Sequence, residues 1–160
     1  MIYYIDGYNL LFKKTYLKAD LSYTRQRCIQ DFHLLIKDFN FSIILVFDAY
    51  QRAGELSRIT YKNIEIVYTA ERQKADDFII ETFKRAKNPA QMAVVTDDRV
   101  LLKSVKSLKG NGLSLNDFFS LLKTKKKKED EKPSASHLSE PISDYYLETF
   151  INRLKLDEKS

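Results

Sequence analysis

Ser42-Ile43-Ile44-Leu45-Val46-Phe47-Asp48 is the stretch that decides the fold. Its apolar residues run without a polar break and several are β-branched, so a strand here has no wet face and needs cover on both sides. The residue that closes the run is an aspartate. Outward from it, the apolar runs Ile2 to Ile5, Ile64 to Tyr68 and Met92 to Thr96 read as further strands. Between them, Cys28/Ile29, Phe32, Leu35/Ile36 and Phe39 recur at helical spacing, as do Ala75, Ile79, Phe83 and Ala86. Strands alternating with amphipathic helices predict an α/β fold, with a central, mainly parallel sheet between two layers of helices. Gly110-Asn111-Gly112 predicts a turn, Leu113 to Leu115 a short last strand, and Asn116 the cap of a helix running to Leu122.

The chain has 160 residues, enough for one domain and a short appendage. Hydrophobic residues make up 44% of it, which supplies a packed core and excludes global disorder. Its 27 basic and 22 acidic residues leave a net charge of +5, a mild excess that suits a polyanionic partner. Composition changes near residue 123, where Lys123 to Lys128 runs into Glu129-Asp130-Glu131 and then Pro133-Ser134-Ala135-Ser136. Residues 1–122 therefore read as the domain and 123–141 as a charged, flexible linker. In 142–157 an amphipathic helix is expected, with Ile142, Tyr146, Phe150 and Leu154 on one stripe. Such a helix is marginal alone, so it is expected to dock on its own domain, a second subunit or another protein.

Several chemistries find no support. Cys28, His33 and His137, the only cysteine and histidines, cannot build a disulfide framework or a Cys/His zinc site. The four glycines, Gly7, Gly54, Gly110 and Gly112, form no phosphate-binding loop. No apolar run is long enough for a membrane span, and the sequence opens without a basic leader or cleavage site, so a cytoplasmic protein with no membrane partner is expected.

The aspartates carry the chemical signal. Asp6 closes the first strand, Asp48 the second, and Asp97-Asp98 a later one, while Asp76 and Asp77 open a helix. In an open parallel sheet the carboxyl ends of neighbouring strands share one edge, and ligands bind in the crevice outside it. Acids far apart in sequence would meet there. Each has a plainer reading alone: Asp6-Gly7 as a turn, Asp48 as a cap near Gln51, Asp97 or Asp98 as the cap of a helix beginning near Val100, and Asp77 as part of a ladder with Glu81 and Arg85. Together they predict an acidic cluster. Crowded carboxylates raise one another's pKa and need a neutralising partner, for which a hard divalent cation is suited. Metal-assisted phosphodiester hydrolysis is the chemistry such a cluster supports.

Ile5-Asp6-Gly7-Tyr8-Asn9, Val46-Phe47-Asp48-Ala49, Ala75-Asp76-Asp77 and Val95-Thr96-Asp97-Asp98, in that order, resemble the YacP-like NYN domains, relatives of PIN-domain nucleases. The similarity spans residues 1–122. It implies a three-layer α/β/α PIN-like fold and an Mg²⁺- or Mn²⁺-dependent endoribonuclease acting in RNA processing or mRNA decay, on RNA and on mRNA presented by the ribosome. By position it assigns Asp6, Asp76 and Asp98 as catalytic metal-binding acids, Asp97 as a metal ligand that assists or replaces Asp98, and Asp48 as the extra acid of the family, both of these also in the catalytic set. Asn9 would orient water or phosphate, or cap its helix. Arg52, Arg58, Arg72 and Lys74 occupy regions where the family carries basic residues and are candidate substrate contacts. The rival readings are an RNA-binding or ribosome-associated module without cleavage, and a toxin-like PIN nuclease.

Overall fold

A computed structural model describes residues 1–12, 21–49 and 54–130. Four of its strands follow from the apolar runs: β1 (Ile2–Asp6), β2 (Ser42–Phe47), β4 (Ile64–Tyr68) and β5 (Met92–Val95). A fifth, β6 (Asn111–Leu113), takes in Asn111 and Gly112 of the expected turn and stops at Leu113, because Leu115, expected to end that strand, instead opens the last helix ahead of the cap expected at Asn116. The sixth, β3 (Ser57–Tyr61), was not expected. The helices are α1 (Gly7–Phe12), α2 (Leu21–Ile36), α3 (Ala75–Arg85), α4 (Arg99–Ser107) and α5 (Leu115–Asp130), with a short 3₁₀ turn at Pro89–Gln91 before β5. The strands form one sheet in the order β3-β4-β2-β1-β5-β6. All neighbours run parallel except β3, which pairs antiparallel with β4.

The sheet is covered on both sides, because side chains alternate along each strand. Tyr3 and Ile5, Ile43, Leu45 and Phe47, and Ala93 and Val95 face one layer. There they meet Leu10 of α1, Cys28, Phe32 and Ile36 of α2, and Phe118 and Leu122 of α5. Tyr4, Ile44 and Val46, Val67, and Met92 and Val94 face the other. There they meet Phe78, Ile79 and Phe83 of α3 and Leu101 and Val105 of α4. This is the expected three-layer α/β/α arrangement. β2, between β4 and β1, is buried from Ile43 through Phe47; each such side chain contributes about 1.5–3 kcal/mol on leaving water.

Three local differences have physical causes. β3 has an exposed central stretch and lies on the sheet edge, so it carries no apolar alternation to read. It returns to β4 through Lys62-Asn63, where Lys62 takes a left-handed φ of 54° without the glycine that advertises such a turn. α5 continues past Leu122 to Asp130, through the lysines that composition assigned to the start of a linker. Lysine is a good helix former, and Lys127 and Lys128 stand favourably at the negative end of the helix dipole. The remaining linker residues and the helix expected over 142–157 lie outside the described residues.

Candidate active site

Register brings the acids to one level. Asp6 is opposite Val46 of β2, and the preceding Ile5 is opposite Val95 of β5. Asp48, two residues past Val46, and Asp97-Asp98, just past Val95, therefore end at the same edge as Asp6. β1 stands at a topological switch: its own connection passes through α1 and α2 on one face to β2, whereas β5 on its other side is entered from α3 on the opposite face. A crevice opens at such a point.

Asp6, Asp48 and Asp76 line a cavity of about 210 Å³ there, together with Tyr8, Asn9 and Lys74. Two larger depressions, of about 560 Å³ beside Arg72 and Asp77 and about 570 Å³ beside Arg58 and Phe78, contain none of those three acids. Burial pushes the Asp6 carboxyl up to about 6; the Asn9 N–H pulls it down, and the charges of Asp76 and Asp48 raise it further. Asp76 is likewise raised, first by burial, then by Asp98, Asp48 and Asp77, with Lys74 opposing. Among the described residues none of Asp6, Asp48, Asp76 and Asp98 is in a salt bridge.

Asp6 and Asp48 are held by backbone N–H groups. The Asn9 N–H donates to Asp6 Oδ1 at 3.1 Å, fixing the carboxylate at the start of α1. Gly7 is required beside it, because a Cβ there would lie 2.3 Å from Cε1 of Phe47. Asp48 Oδ1 accepts from the Ala75 N–H, which fastens the end of β2 to the first residue of α3 and brings Asp76 alongside. Thr69 holds the same corner: its hydroxyl accepts from the Ala49 N–H at 3.1 Å and donates to the Gln73 carbonyl at 2.6 Å.

The paired aspartates after β5 separate in role. Asp98 Oδ1 accepts from the N–H groups of Val100 at 2.7 Å and Leu101 at 3.2 Å, so it caps α4 while its charge is felt by Asp76. Asp97 Oδ1 accepts from the Leu115 N–H at 3.0 Å, tying it to the start of α5. Asn9 joins the two halves of the crevice, its Oδ1 accepting from the Asp97 N–H at 2.9 Å. It braces the site, while Asp6, not Asn9, caps α1.

Of the expected basic contacts, Lys74 lines the cavity. Arg58 pairs with Glu65 across β3 and β4 and lies 5.7 Å from the centroid of the Phe78 ring. Arg72 sits in the exposed turn before α3 with φ 66°. Arg52 lies outside the described residues. Sequence reasoning passed over Tyr8, which lines the cavity, and Arg25, which donates to the Tyr8 hydroxyl at 3.3 Å. The readable signal for Arg25 was its position three, four and seven residues before Cys28, Ile29 and Phe32, on the apolar stripe of α2.

The donor set is all oxygen, which fits Mg²⁺ or Mn²⁺ and not a thiolate- or imidazole-seeking metal. Among the described residues no three acid, histidine or cysteine side chains are grouped closely enough to make a ready metal cage. A cation held here would keep waters and share substrate phosphate with one or two carboxylates, the common mode for Mg²⁺.

A mainly parallel α/β/α sheet with acids at its switch point is the PIN-like layout. The chain belongs to the YacP-like NYN domain family, whose model matches residues 3–156, a span that runs past the 122 residues of the motif resemblance. Its fold is shared by the crystal structure of Rae1 (YacP) from Bacillus subtilis in a point-mutant form, at 22% identity over 100% of both chains with a TM-score of 0.63. A second structure of Rae1 (YacP) from Bacillus subtilis is 21% identical, with a TM-score of 0.61 over 99% of this chain and 89% of that one. None of the curated proteins matches the sequence. Membership in a family of PIN-like nucleases implies an RNA-related nuclease. Among the described residues no helix is long and apolar enough to cross a membrane.

Proposed function

We propose that the protein is a cytoplasmic, divalent-metal-dependent endoribonuclease that hydrolyses RNA phosphodiester bonds in RNA processing or mRNA decay, including on mRNA presented by the ribosome. The observation that carries this reading is the cavity in which Asp6, Asp48 and Asp76 crowd together without a basic salt-bridge partner among the described residues. Such self-repulsion costs stability, which a bound cation would relieve. Asp6, Asp76 and Asp98 would hold Mg²⁺ or Mn²⁺, with Asp97, one oxygen of which accepts from the start of α5, in support. The cation supplies positive charge against the scissile phosphate and lowers the pKa of the attacking water. Asp48 fixes the start of α3 and adds negative charge to the cavity. Asn9 holds the β5 end in place. Lys74 is the best placed of the described basic candidates for a phosphate, with Arg72 and Arg58 lining other depressions, and Arg52 stays a candidate on the family resemblance alone. Endonucleolytic cutting is inherited from the family resemblance, as is the choice of RNA.

Purified protein incubated with structured and unstructured RNA in Mg²⁺ or Mn²⁺ is expected to cut internally, and to stop in chelator or when Asp6→Asn or Asp76→Asn is introduced. Cutting that survives both changes would sink the mechanism. RNA binding without cutting, on naked RNA and on translating ribosomes, would instead select the non-catalytic module.

A further inference from the structure

Arg25 is a charged residue on the sheet-facing stripe of α2, a position where a cation is costly unless something uses its charge. Its guanidinium lies 5.1 Å from the centroid of the Tyr68 ring and 5.9 Å from that of Phe47, two rings that stack on each other at 5.8 Å. Its Nη1 donates to the Tyr8 hydroxyl at 3.3 Å, and the Tyr8 ring meets Phe47 edge-on at 5.4 Å. Among the described residues no carboxylate forms a salt bridge with it, whereas Arg58, on the sheet edge, is neutralised by Glu65. Since Tyr8 also lines the acidic cavity, a planar cation of fixed orientation stands one hydroxyl away from Asp6, Asp48 and Asp76.

A guanidinium has five N–H donors, of which Tyr8 takes one while the rings occupy its faces. The edge that remains is shaped to meet two phosphate oxygens at once. An acidic cavity repels a polyanion along its whole length, so the substrate needs protein cations beside the cavity as well as a metal inside it. We propose that Arg25, laid on Tyr68 and Phe47 and tied to Tyr8, grips an RNA backbone phosphate adjacent to the one held over Asp6, Asp48 and Asp76. This assignment rests on the RNA reading given above and names a contact on α2 that the motifs do not contain.

The test is a titration of labelled single-stranded RNA with the full chain carrying Asp6→Asn, with and without Arg25→Gln, in Mg²⁺ and across a salt series. Loss of one phosphate contact is expected to lower the slope of log affinity against log salt by about 0.7. Affinity should fall by about 10-fold or more, as for a charge-assisted hydrogen bond. Arg25→Lys should keep the slope yet weaken binding several-fold, because the fork is lost and the charge is not. Unchanged affinity and slope in a folded Arg25→Gln protein would overturn the assignment. If that variant fails to fold, Arg25→Lys decides, and parental affinity there overturns it equally. Cleavage by the parent protein is assayed alongside. Arg25-dependent binding without cleavage supports Arg25 and defeats the nuclease reading; cleavage with Arg25-independent binding does the reverse; no RNA binding defeats both.

Discussion

The crevice at the end of β1 and the rim at β3 and β4 treat charge in opposite ways. At the rim, Arg58 and Glu65 cancel each other on an open surface, where such a pair contributes little. In the crevice, Asp6, Asp48 and Asp76 share one cavity, and Asp6 and Asp76 are raised by burial and then by neighbouring carboxylates. A neutralised pair is finished as it stands. An unneutralised cluster is a cost that the fold carries, and one that a bound cation would relieve.

The comparison breaks first at the acids. Asp6→Asn or Asp76→Asn is expected to lower RNA cleavage by roughly 10²–10³-fold, the scale of losing one electrostatic group that acts on the reacting centre; initial rates in excess Mn²⁺ measure it. Next comes Gly7→Ala, whose methyl would drive into the Phe47 ring. Overpacking of this kind costs about 1–3 kcal/mol, to be read from chemical denaturation. The same substitution should disturb RNA binding too, since Phe47 is a surface on which Arg25 rests.

A pH series sharpens the comparison further. The folded Asp6 carboxyl titrates at about 6, above its ordinary value of 3.8, so the fold favours the protonated form. The resulting penalty is absent below the ordinary value, grows as pH rises toward 6, and is complete above it. Without metal, Asp6→Asn should therefore be more stable than the parent at pH 8 by roughly 1–3 kcal/mol. That advantage should shrink toward nothing at low pH, and a constant difference across the series would contradict it. Added Mn²⁺ should raise the melting temperature of the parent and leave the variant nearly unmoved. Smallest is Glu65→Gln at the rim, expected to change stability by less than about 1 kcal/mol and leave cleavage within about twofold.

Much of this architecture was legible because burial writes itself into composition. β2 could be placed centrally from Ile43-Ile44-Leu45-Val46-Phe47 alone, since only a strand covered on both faces tolerates that run. β3 was missed because an edge strand with a wet face and a turn at Lys62-Asn63 offers neither alternation nor a turn dipeptide. The short α1 has no apolar period to announce it, only a turn at Asp6-Gly7 or a cap at Asn9; in the fold Asp6 accepts from the Asn9 N–H and Gly7 fits against Phe47. Arg25 went unread because its use depends on rings from β2 and β4 and a hydroxyl from α1.

By itself, the sequence determined the fold class, the central strand, the helices with regular apolar spacing and the acids that end the strands. Those features are local, governed by period and by the residue that closes each run. Tertiary structure alone decided which of those acids line one cavity, that Asp97 ties an oxygen to α5 while Asp98 caps α4, and that Arg58 is neutralised by Glu65 while no carboxylate among the described residues forms a salt bridge with Arg25. The reason is that charge, unlike apolarity, takes its meaning from its neighbours, and those neighbours come together only when strands distant in sequence align in register.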